Sequence, residues 1–178
     1  MLVAICLSFE VLKRNRNLTY YKKLFSYISI LYILFLLYAT LLSRTVAKTS
    51  LYRLEPMLGL REAISIEGGI WPLLRGDFAA IQLNNPQSLE AIAVNLLLMV
   101  PLGYLLPLLF DVHGRAIKGR QVVLAGSLLS AMIEVVQFVT HLGTLDVDDW
   151  LFNTVGVAVG YWLYRCFLKK SSKAAHKS

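Results

Sequence analysis

Four apolar runs, Phe25–Leu42, Leu89–Phe110, Val122–Leu142 and Trp150–Leu168, are each long enough to cross roughly 30 Å of hydrocarbon at about 1.5 Å per helical residue. In lipid a backbone has to satisfy its own polar groups, so each run is expected to be a helix. The fold class that follows is all-α: a polytopic integral membrane bundle of four transmembrane helices. Composition agrees, because 57% of the 178 residues are apolar and only 16% charged, against roughly 25% charged in a soluble domain. A soluble enzyme and a disordered chain are both excluded. The chain divides into a basic N-terminal segment (1–24), a transmembrane domain (25–168) and a basic tail (169–178). Met1–Phe9 is apolar but too short to span, and reads as an interfacial or frayed segment.

A net charge of +7 first raises nucleic acid as a partner, but the cations lie where membrane topology would put them. Residues 13–24 carry five, the 111–120 loop three and the tail from Arg165 five. The long 44–88 loop carries five against four acids, and the 143–149 loop carries none and three aspartates. Under the positive-inside rule both termini are expected in the cytoplasm, with the 44–88 and 143–149 loops outside: 13 cations against 5. The charge is thus a topology signal, and no nucleic-acid partner is expected. Thr45-Val46-Ala47 loosely fits a signal-cleavage site, yet the preceding run is too long and Arg44 interrupts it, so an uncleaved anchor is the better reading. Cys6 and Cys166 both fall on the reducing side without a His or Cys at zinc spacing, and carry no assigned chemistry.

Polar groups inside apolar helices are the informative residues. An ionisable group costs about 2.5–3.5 kcal/mol at the centre of a membrane helix, so each needs a partner or a task. The second run carries Asn95, then Pro101, Gly103 and Pro107, and the prolines are expected to kink it. The third carries Glu134 and Gln137, three residues apart on one face. Before and within the fourth, Asp146, Asp149, Asn153, Gly156 and Gly160 step by three and four along one helical stripe. With the topology above, Asn95, Glu134, Gln137, Asp146, Asp149 and Asn153 all fall in the outer half of the membrane and are the candidate ligand-binding residues. Glu134, about 12 Å below the end of its run at the helical rise, is the candidate catalytic acid or base.

Plainer roles compete for the same residues. Asp146 as N-cap with Asp149 at N3 starts a helix and complements its dipole. Asn95 and Gln137 serve as interhelical glue at about 0.6 kcal/mol each. Gly156-x-x-x-Gly160 lets another helix approach closely. His141, seven residues after Glu134 on the same face, would complete an oxygen-and-imidazole site with Asp146 and Asp149, but the spacing matches no established metal signature. No cofactor is expected beyond that alternative of a divalent cation at Asp146, Asp149 and Glu134. The 44–88 loop is too long for a mere link. Within it Leu51–Leu60 has helical spacing, Gly68-Gly69 breaks the chain, and Trp71-Pro72 suits an interfacial segment, with a lid over the polar cluster or packing on the bundle as alternatives.

The stretch from Leu89 to Trp162 resembles the VanZ-like membrane proteins, whose namesake is associated with bacterial resistance to teicoplanin. Three ordered blocks carry the resemblance: Asn95, Pro101 and Gly103; Glu134 and Gln137; and Asp146, Asp149, Asn153, Thr154, Gly156 and Gly160. Many members have an arginine three residues before the first aspartate, where this chain has Gly143. The resemblance implies a bacterial cell-envelope protein of the plasma membrane that lowers susceptibility to teicoplanin-type lipoglycopeptide antibiotics. It supplies no reaction, and three kinds of activity stay open. A binding protein would engage a membrane lipid, a lipid-linked cell-wall precursor or the lipoglycopeptide at its outer polar site. An intramembrane enzyme would modify a lipid or lipid-linked substrate with Glu134 as acid/base, although no familiar catalytic motif is present. A transporter would relay protons through Glu134, but four spans without repeats fit it worst unless the chain forms a homo-oligomer.

Overall fold

The computed structural model describes residues 18–42, 52–67 and 71–175. The readings of Met1–Phe9, of Thr45-Val46-Ala47, of Gly68-Gly69 and of Cys6 lie outside the described residues. Four long helices dominate: α1 (Leu18–Leu37, continued by a π turn over Tyr38–Leu42), α4 (Pro86–Val112), α5 (Gly119–Val139) and α6 (Val147–Ala175). Between α1 and α4 the chain builds β1 (Tyr52–Arg53), α2 (Leu58–Ala63), β2 (Ile64–Ile66), α3 (Trp71–Leu74), a 3-10 turn at Phe78–Ala80 and β3 (Ile81–Leu83). A last short strand, β4 (Leu145–Asp146), leads directly into α6. The architecture is therefore helical with two small ladders rather than purely α. β2 and β3 pair antiparallel, and β1 pairs parallel with β4 in the register Tyr52↔Leu145, Arg53↔Asp146.

Boundaries shift from the apolar runs for local reasons. α4 begins three residues before Leu89 because Asn85 is its N-cap, accepting from the N–H groups of Gln87 and Ser88, and Pro86 occupies the first turn, where a missing N–H costs nothing. The described part of Leu51–Leu60, from Tyr52 on, is not one helix. The residue before a proline is pushed out of the α region, so Pro56 holds the helix back to Leu58. α5 stops at Val139, three residues short of Leu142, in a Schellman-type end: Leu142 N–H reaches the Gln137 carbonyl at 2.9 Å and His141 N–H that of Phe138 at 3.3 Å. His141 takes the left-handed position there, with φ 58°, that glycine fills most easily. Replacing His141 with glycine is expected to stabilise the fold by about 1 kcal/mol, read as a raised melting temperature in detergent.

α4 stays one helix through Pro101 and Pro107. Pro101 removes the donor for the Leu97 carbonyl, and in the same turn the Tyr32 hydroxyl of α1 donates to the carbonyl of Leu98. Three helices, Lys23–Leu42, Pro86–Asp111 and Gly119–Val139, are long and apolar enough to cross a membrane. In α6, Asn153, Gly156, Gly160, Tyr161 and Arg165 dilute the apolar run, and that helix does not reach the same hydropathy.

α6 packs on α4 and α5, and α4 also packs on α1. Lipid tails are as apolar as leucine, so close van der Waals approach has to hold such helices together. Glycine provides it. A Cβ on Gly156 would lie 2.3 Å from the Leu96 carbonyl oxygen, one on Gly160 2.0 Å from that of Val100, and one on Gly103 2.0 Å from that of Val157. Leu36, Met99, Leu102, Val122, Ile133 and Val157 form one buried cluster at this crossing. Phe25, Tyr104, Leu105, Leu108 and Tyr164 form the other, with Tyr104 edge-on to Tyr164 at 6.1 Å between ring centroids. Facing outward are Leu31, Leu34 and Phe35 of α1 and Leu124, Leu128, Met132 and Val139 of α5, an apolar surface suited to acyl chains.

Candidate functional site

The start of α6 is where the chain gathers its polar groups. Asp146 sits one residue before the helix, and its Oδ1 accepts the N–H of Asp148 at 2.9 Å, an N-cap bond. Parallel pairing of β1 with β4 sets Arg53 beside it, with Arg53 Nε 3.7 Å from Asp146 Oδ2 and Arg53 Nη2 2.7 Å from Glu62 Oε2. The hydrogen bond that it donates to Glu62 first, then the charges of Glu62, Asp146 and Asp148, raise the Arg53 guanidinium above its ordinary pKa. A cation therefore stands at Asp146 although Gly143 offers none.

Asp148 is the buried aspartate, 3% exposed. Its two oxygens reach across to α2, accepting Met57 N–H at 2.5 Å and Gly59 N–H at 2.7 Å. It thus caps α2 from a different helix, satisfying donors that no side chain of α2's own N-cap, Met57, satisfies. Met57 is itself left-handed, with φ 61°, a conformation disfavoured for its side chain and held by this contact. Gly59 leaves room, since a Cβ there would come within 3.2 Å of Asp148 Oδ2.

These groups line a pocket of about 260 Å³ together with Asn85, Gln87 and Ser88 from the start of α4. Asp146, Asp148, Asp149 and Glu62 all face it, with Arg53 as its one cation among the described residues. It is polar, acidic and at the opposite end of α4 from the loop carrying Arg115, Lys118 and Arg120.

The remaining candidate residues lie deeper and tie helices to each other. Asn95 Nδ2 donates to Asp149 Oδ1 at 2.5 Å, joining α4 to α6. Asn153 Nδ2 donates to Ser130 Oγ at 2.9 Å, joining α6 to α5. Gln137 Nε2 donates to the Thr40 carbonyl at 2.8 Å, joining α5 to the π turn of α1. Glu134, 4% exposed, accepts the Asp146 N–H on its Oε2 at 3.1 Å and does not line the pocket. With α5 ending at Val139, Glu134 is five residues from the helix end, about 8 Å rather than 12 Å. His141 lies beyond the helix, exposed in its left-handed turn, and so leaves the face of Glu134. Among the described residues no three His, Cys, Asp or Glu side chains come together as a metal site.

Sequence reasoning missed Arg53, Glu62 and the anchoring role of Asp148. Arg53 and Glu62 look like two of several balanced loop charges, and an acid in a first helical turn reads as a partner for the dipole. The β1–β4 register brings Arg53 to Asp146, Arg53 pairs with Glu62, and Asp148 reaches α2 through its main-chain N–H groups. Trp71, Leu74 and Phe78 are exposed, and none of them lines the aspartate pocket.

Fold and site together define a helical membrane protein with an acidic pocket where a polar loop segment meets the bundle. Residues 25–169 match the VanZ/LLP1 family, and the chain belongs to it. The family takes its interest from an association with teicoplanin resistance. No curated protein and no solved structure matches the chain.

Proposed function

We propose that this VanZ/LLP1 member is a four-span protein of the bacterial plasma membrane, with both termini cytoplasmic, that lowers susceptibility to teicoplanin-type lipoglycopeptides. Its acidic pocket opens at the outer leaflet and engages a lipid, a wall precursor or the antibiotic itself. The pocket carries this reading: Glu62, Asp146, Asp148 and Asp149 face one cavity with a single arginine. Such a surface favours ammonium, hydroxyl and sugar groups over bare phosphate, which would meet four carboxylates. The distribution of cations, 13 against 5, supports the orientation, and α6 completes the fourth span despite its polar start.

Binding is better supported than catalysis. Glu134, the one candidate acid or base, is buried, accepts a backbone N–H and stands away from the pocket lining. A catalytic carboxyl has to reach the group it protonates.

The test is teicoplanin susceptibility of a sensitive strain expressing the wild type, Glu62→Gln, Asp149→Asn or the pair, with folding checked by melting temperature. Pocket variants are expected to fold and to lose the protection. Undiminished protection in the folded double variant overturns the site. Mass spectra of lipids and wall precursors from the same strains are expected to match the empty control. A new species that disappears with Glu134→Gln would replace the binding reading with the enzymatic one.

A further inference from the structure

A second cavity lies at the other end of the bundle. It occupies about 400 Å³ between α1 and the last turn of α4, lined by Ser26, Ser29, Ile30, Ile33, Leu109, Phe110, His113 and Arg115. The α1 residues step by three, one and three, a single helical stripe about 10 Å long at the helical rise. Ile30, Ile33, Leu109 and Phe110 give it apolar walls, interrupted by the hydroxyls of Ser26 and Ser29, and Ile30 and Ile33 are exposed. At its mouth the character changes. Gly114, with φ 72°, ends α4, and Arg115 N–H returns to the Phe110 carbonyl at 2.9 Å, which fixes the Arg115 backbone at the rim. His113 turns Nδ1 toward the Leu109 carbonyl at 2.8 Å. Lys23 lies one turn before Ser26 on the same stripe and is exposed.

Two further observations point to an occupant. The Ser29 hydroxyl is buried and has no hydrogen-bond partner among the described residues. Among the described residues, no carboxylate lines the groove; the neighbouring acid, Asp111, accepts the Tyr164 hydroxyl instead. We propose that this groove holds one acyl chain of an anionic phospholipid, with its phosphate on Arg115 and its glycerol region against Ser26 and Ser29. An apolar slot excludes a free anion, and a guanidinium at its mouth forks onto phosphate oxygens, so only a molecule with both parts fills it. The site is independent of the aspartate pocket, which lies at the far end of α4.

The experiment uses the full chain in detergent, with palmitoyl-oleoyl phosphatidylglycerol and its phosphatidylcholine counterpart added in equal amounts and retained lipid counted by native mass spectrometry. Phosphatidylglycerol is expected to be retained preferentially by about fivefold, the order of one cation at a lipid surface. Arg115→Gln, at an exposed position, is expected to bring the ratio near one, whereas Lys118→Gln, outside the groove, leaves it unchanged. Ile30→Trp, which fills the slot, is expected to lower retention of both lipids. Inorganic phosphate is expected not to compete. Equal retention of the two lipids by the wild type, or a preference that survives Arg115→Gln, overturns the proposal. Displacement by inorganic phosphate alone would also overturn it, leaving an anion site without a lipid.

Discussion

Replacing Gly160 with valine is expected to abolish the native bundle. Even the first added carbon would lie 2.0 Å from the Val100 carbonyl oxygen, 2.9 Å from Gly103 Cα and 3.0 Å from Tyr104 N. All three are backbone atoms, which cannot swing away as a side chain does. Overpacking within a close-packed interior usually costs about 1–3 kcal/mol, and a clash of backbone on backbone belongs at or above the top of that range. α6 would have to move off α4, and the buried cluster around Met99 and Val157 would open with it. Thermal unfolding in detergent measures the effect against Ala158→Val, an exposed position on the same helix where added methyl groups meet only lipid. A Gly160→Val protein that melts with the wild type would show that α4 and α6 are further apart than described.

Asp148→Ala comes second in size and differs in kind. It removes both acceptors from the start of α2, and hydrogen bonds to charged groups contribute about 1.5–3 kcal/mol each. A loss of about 3 kcal/mol is expected, borne mainly by the 52–67 segment, because the bundle's apolar and glycine contacts remain. Limited proteolysis reads it directly: cleavage between residues 52 and 67 is expected to become rapid while the long helices stay protected. Asp149→Ala, which releases Asn95, is the comparison, and loss of that interhelical bond is expected to cost about 0.6 kcal/mol. Similar protease resistance in Asp148→Ala and the wild type would mean that the β1–β4 pairing alone secures the segment.

The long helices were legible because hydrocarbon leaves the backbone few choices, and the glycine stripe because close approach needs a missing Cβ at regular spacing. Asn95, Gln137 and Asn153 stand out in sequence as polar residues in apolar surroundings, but sequence does not say whom they bond. Their partners are Asp149, a backbone carbonyl at Thr40 and Ser130. Two of those three carry little signal of their own. The pocket was legible only in its aspartates. Arg53 reaches it through a two-residue parallel ladder with no periodicity to read, and α2 with its Glu62 through main-chain N–H groups that every residue but proline carries. Helix ends shifted where caps outweighed hydropathy, at Asn85-Pro86 and at His141.

The bond from Met57 to Asp148 joins positions 91 residues apart in the chain. During synthesis the N-terminal side of the pocket emerges long before the aspartate that completes it. A nascent chain ending before β4 holds α2 without its cap and Arg53 without Asp146, so the pocket cannot close until the start of α6 has been made. A closed pocket therefore reports that α3, α4 and α5 have already been made.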